Sequence, residues 1–179
     1  MTNLLNIANQ IKKDGFDPRK DKVNNNNQNL PGGEYQVVLK GAEARMADSG
    51  WESINYAFEV RDLDNDYNGR MQYIMFGTQT EWKAKTGKLL DLTNMVETTI
   101  KFFRKAVVLS GDENLTSDFE DNKSMEEALV RKAVGSKFIL IVNEFKKKNG
   151  ETGYNYDLEE AQDQLGAVGT DIDDDDLPF

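Results

Sequence analysis

From Glu34 the chain alternates between apolar and polar residues. Tyr35, Val37 and Leu39 fall on one side, the period of a half-buried strand, and predict a first strand running to about Met46. Ala47-Asp48-Ser49-Gly50 reads as a turn. In the next segment Ile54, Tyr56, Phe58 and Val60 share a face, with Trp51, Ser53, Asn55, Ala57 and Arg61 on the other. Asp62 to Gly69 is a polar hairpin loop, and Arg70 to Phe76 a third strand. Three consecutive antiparallel strands make a meander.

The period then lengthens. Leu89, Leu92, Val96, Ile100, Phe103 and Val107 lie on a helical stripe ended near Gly111. Ser124 with Glu127 three residues on has the form of a capping box, predicting a second helix through Val134. Strands resume over Lys137 to Phe145, turn at Lys146-Lys147-Lys148-Asn149-Gly150, and end with Gly153 to Leu158. The order is three strands, a helical insertion over residues 77–136, then a hairpin. That is the connectivity of the OB-fold, a five-stranded Greek-key barrel that commonly binds single strands. The expected class is therefore mainly β, within α+β.

Upstream, Leu4, Ile7, Ala8 and Ile11 take helical spacing and predict a short amphipathic helix over residues 3–12, either packed on the domain or on a second copy or left as a frayed tail. Residues 14–33 lose periodicity, and the run from Asn24 to Asn29 reads as a polar linker. The organisation expected is a helix and linker at 1–30, the barrel domain at 31–160, and an acidic tail at 161–179.

Composition narrows the chemistry. Neither Cys nor His occurs, which excludes disulfides, His-based triads and the usual zinc sites. No apolar run is long enough to span a membrane and no secretory signal opens the sequence, so the expectation is a cytoplasmic protein. Of the formal net charge of −10, −8 lies from Glu159 onward, leaving −2 for residues 1–158. Acidity is a property of the tail, so it does not exclude a local basic surface on the body.

The final residues, Asp171-Ile172-Asp173-Asp174-Asp175-Asp176-Leu177-Pro178-Phe179, join a carboxylate run to a small apolar hook. A greasy pocket rimmed by Arg or Lys would take the terminal ring and carboxylate together. This ending resembles the acidic tip of bacterial and phage single-stranded-DNA-binding proteins. Pro31-Gly32-Gly33-Glu34-Tyr35, Gly69-Arg70 and Asn149-Gly150 also resemble a family of phage-encoded proteins proposed to be OB-fold single-strand binders. The resemblance implies host-cell cytoplasm, single-stranded DNA as ligand, and docking of replication, recombination and repair enzymes on Asp173, Asp174, Asp175, Asp176, Leu177, Pro178 and Phe179. In that family the tip also competes with DNA for the protein's own binding surface.

Binding single strands without sequence choice needs π surfaces for bases and cations for phosphates. Taking Gln72, Ile74 and Phe76 inward turns Met71, Tyr73 and Met75 outward, although the opposite choice fits the pattern nearly as well. The DNA-binding set expected is Arg45, Trp51, Arg61, Arg70 and Tyr73, together with Lys146, Lys147 and Lys148 beside Tyr154 and Tyr156. Trp82, Lys83, Lys85 and Lys88 could extend the track, with Trp82 equally placed to be cover. Asp62, Asp64, Asp66 and Asn68 mimic a calcium loop, but Tyr67 and Tyr73 stand where an EF-hand needs Gly and Glu. No catalytic motif, metal site or cofactor site is expected. The rival readings are a protein-only adaptor or inhibitor whose tail mimics DNA, and a metal-dependent nuclease using Asp62–Asp66.

Overall fold

The computed structural model describes residues 4–13, 15, 17–19 and 29–161. Helix α1 (Leu4–Lys13) is followed by strands β1 (Gly33–Met46), β2 (Glu52–Val60) and β3 (Met71–Gly77), then by a short hairpin of β4 (Glu81–Lys83) and β5 (Leu89–Asp91). Helix α2 (Thr93–Leu109), a 3-10 turn (Thr116–Phe119) and helix α3 (Asn122–Lys132) come next, before β6 (Lys137–Lys146) and β7 (Thr152–Glu160). The fold is α+β, built on one five-stranded antiparallel sheet in the order β3-β2-β1-β6-β7.

β1 is long because it serves two partners. Gly33 to Val38 pair with β6, and Val37 to Met46 pair with β2. The register slips once, between Leu39 and Gly41, so Lys40 is an extra residue with no partner on β2. Such a bulge bends a strand and changes which parity faces inward. Before it Val37 and Leu39 face the core; after it Ala42 and Ala44 do, opposite Tyr56 and Ile54.

In a flat sheet, β3 and β7 would stand about 19 Å apart, four strand spacings. Yet Gln72 Nε2 on β3 lies 3.5 Å from the Tyr156 hydroxyl on β7. The sheet is therefore curled around its apolar face. Leu39, Ile54, Tyr56, Phe58, Phe138, Leu140 and Leu158 fill that inner face, and Phe103, Val107 and Leu129 of the helices pack onto it.

No backbone ladder joins β3 to β7 among the described residues, so the expected closed barrel is observed as an open sheet. Side chains fill the seam. Leu30 is fully buried, and its N–H donates to Gln72 Oε1 at 2.7 Å. Asn29 Oδ1 accepts from Gln72 Nε2 at 2.9 Å and from the Tyr156 hydroxyl at 2.6 Å. Residues 29 and 30, expected to belong to the linker, thus belong to the domain. α2 spans the same gap, with Thr99 Oγ1 donating to Gly77 O of β3 and Lys105 Nζ lying 2.6 Å from Asp157 of β7.

The insertion differs from its expected form in two places. Leu89 lies in β5 rather than in a helix, because a turn at Ala84–Gly87 folds residues 88–91 back on β4. Gly87 takes a φ of 83°, which a side chain would strain. α3 is capped by Asp121, whose carboxylate accepts from Ser124 N at 2.7 Å, and it ends at Lys132 rather than Val134. Ser124 is therefore the third residue of the helix, not its cap.

Candidate functional site

Opposed residues of an antiparallel pair share a face. On the outer face, away from the core, Gly41, Ala57 and Tyr73 form one row across β1, β2 and β3, and Glu43, Asn55 and Met75 form the next. Ile74 is buried while Tyr73 is 57% and Met75 62% exposed, which settles the orientation of β3 in favour of an outward Tyr73. Over these rows lies a groove of about 720 Å³, bordered by Asn29, Glu43, Arg45, Asn55, Tyr73 and Met75 with Gly41 and Ala57 between them. Its floor is low where the residues are small. Its walls are an aromatic ring, a thioether and two amides. Arg45 supplies positive charge beside Glu43, whose carboxylate lies 3.9 Å from the guanidinium.

Residues 16–157 match the model of a family described as a protein of unknown function, DUF669. The chain belongs to the DUF669 family. The match covers every strand up to Asp157 and therefore the whole groove. No curated protein sequence matches the chain.

Within the DUF669 region the expected DNA-binding residues do not gather into one site. Arg45 and Tyr73 meet in the groove. Trp51 is half-buried, its ring edge-on to Trp82 at 5.2 Å, and a Cβ at Gly77 would collide with it and with Met95. It covers the start of the β4–β5 hairpin. Arg61 lies at the far end of β2, 3.5 Å from Glu59, beside a smaller recess of about 140 Å³ that it shares with Lys137 and Phe138. Arg70 opens β3 with its guanidinium 5.4 Å from the Tyr67 ring centre.

Lys146, Lys147 and Lys148 are exposed on the β6–β7 hairpin. Tyr154 and Tyr156 face the core from β7, half-buried, rather than standing beside the lysines on the surface. Burial, with Tyr154 as a neighbour, pushes the Tyr156 hydroxyl up to about 12. The aromatic that does stand by the lysines is Phe145, 44% exposed, whose ring lies over Gly153 so closely that a Cβ there would collide with it. Its sequence signal was its parity with outward Asn143 on β6. Gly41, Ala57, Asn55 and Asn29 were also unforeseen, since small and amide residues carry no chemistry until a partner strand places them.

The calcium-like loop uses its oxygens on its own backbone: Asp62 Oδ1 accepts from Asp64 N, and Asn68 Oδ1 from Asp62 N. Among the described residues no cluster of carboxylates could hold a metal ion, and no helix is long and apolar enough to cross a membrane. The tip residues Asp173 to Phe179 lie outside the described residues.

Proposed function

We propose that the chain is a non-enzymatic single-stranded-DNA-binding protein of phage or prophage replication or recombination. In this reading it grips unpaired bases without sequence choice on the outer face of β1–β3. The observation that carries it is the groove itself: an outward tyrosine and methionine above a floor of Gly41 and Ala57, with Arg45 at hand. Stacking on an exposed ring is worth roughly 1–3 kcal/mol per base and tolerates any sequence. The strand order also supports an OB-type fold with an open seam, and the corresponding face of that fold binds oligonucleotides. Phe145 and the three lysines of the β6–β7 hairpin would extend the contact. The C-terminal tip, Asp173 to Phe179, would recruit the enzymes that act on the coated strand.

Titration of fluorescently labelled oligo-dT at several salt concentrations tests this. The expected slope of log K against log salt is about −0.7 for each phosphate neutralised. Tyr73→Ala should weaken binding roughly 5- to 150-fold with little change of slope, and Arg45→Ala should flatten the slope by about 0.7. Absence of binding at low salt by the unaltered protein overturns the proposal.

A further inference from the structure

Most of the described glycines have visible reasons. Those at turns, such as Gly50, Gly69 and Gly150, take positive φ. Gly77 and Gly153 lie beneath aromatic rings that leave no room for a Cβ. Gly41 has neither reason. Its φ is not positive, and a Cβ built on it meets nothing within 4 Å. A glycine inside a strand weakens it through chain entropy and lost packing, and often marks a place where a ligand comes close to the backbone. Gly41 also closes the bulge that bends β1 at Lys40, a place where a strand glycine is common. The missing side chain opens onto the groove, directly opposite Ala57, which is in turn opposite Tyr73.

We infer that Gly41 and Ala57 form the floor of a seat for one nucleobase, whose plane stacks on Tyr73. The inference rests on the single-strand reading above and adds which row of the sheet receives a base. The seat is generic to flat heterocycles: the floor is backbone and one methyl, so nothing there distinguishes one base from another. Asn55, which borders the same groove, can meet base edges without imposing a sequence, because an amide both donates and accepts, whereas the Asn29 oxygen is held by Gln72 and Tyr156.

The test compares the unaltered protein with Gly41→Val and Ala57→Leu, which fill the seat from β1 and from β2. Each is titrated with oligo-dT and with an abasic strand of equal length that keeps the phosphates and lacks the bases. The unaltered protein should prefer oligo-dT on the order of 10-fold, one stacked base's worth, and each variant should lose that preference while keeping its affinity for the abasic strand. Thermal midpoints should stay the same, or rise for Gly41→Val. Should either variant, still folded, prefer oligo-dT as before, the seat is wrong and the single-strand reading stands. Loss of binding only alongside a fall in both midpoints also refutes it, making the two residues structural. If the unaltered protein binds neither strand, the single-strand reading falls and takes the seat with it.

Discussion

Tyr56 sits at the centre of the core, 1% exposed, its ring stacked on Phe58 and edge-on to Phe76 and Phe102. Its hydroxyl has no hydrogen-bond partner, and burial pushes its pKa well above the ordinary tyrosine value. A buried hydroxyl without a partner is a desolvation cost with no return. Tyr56→Phe keeps every ring contact and removes that cost, so it should raise unfolding free energy by about 1 kcal/mol in chemical denaturation. A lower value would reveal a partner for the hydroxyl. At this scale the sequence was informative where parity decided the question. Ile54, Tyr56, Phe58 and Val60 face the core as their alternation required, whereas on β3 the pattern left the choice nearly even and only the fold turns Tyr73 outward. The sequence was silent on Tyr56's orphan hydroxyl and on Gly41, because both depend on what the opposite strand brings near.

The elements show where local pattern ceases to decide. Five strands and both main helices follow from periodicity and turn chemistry. The β4–β5 hairpin does not, since Leu89 and Leu92 fit a helical stripe until Gly87 reverses the chain ahead of them. Nor does the seam, which is made by residues 42 or more positions apart meeting at Asn29, Gln72 and Tyr156. Because Tyr156 is neutral in that network and its folded pKa is raised, its contribution to stability is complete below pH ~10 and is lost as pH rises toward about 12. Asn29→Ala removes the acceptor shared by both partners and should lower stability by about 1–3 kcal/mol. Melting curves between pH 8 and 12 check both points: the alkaline decline should be shallower in Tyr156→Phe, and an unchanged decline would place the titrating group elsewhere. On the far side of the sheet α3 meets β1 in a similar way. Glu126 accepts from Ala44 N at 2.7 Å, a bond that, with Lys123 nearby, holds its carboxyl below the ordinary glutamate range.

For the whole molecule, the proposed division is between a near-neutral body that holds a strand and a tail that carries most of the negative charge. Removing residues 171–179 takes away five carboxylates. Oligo-dT affinity should then hold or tighten, since a competing anion has gone, while capture of replication or recombination enzymes should be lost. Weaker DNA binding with intact capture would reverse the assignment. Low salt is the condition that separates these outcomes best, because repulsion between tail and strand is least screened there.

The extra residue at Lys40 has a wider reach than its one unpaired position. Everything downstream on β1 owes its side of the sheet to an odd count: excise that lysine and Ala42 and Ala44 turn to water while Glu43 and Arg45 are driven among the rings. Spacing along the backbone, as much as the identity of any side chain, keeps the groove on the outside, and a deletion there would cost more than any single replacement beside it.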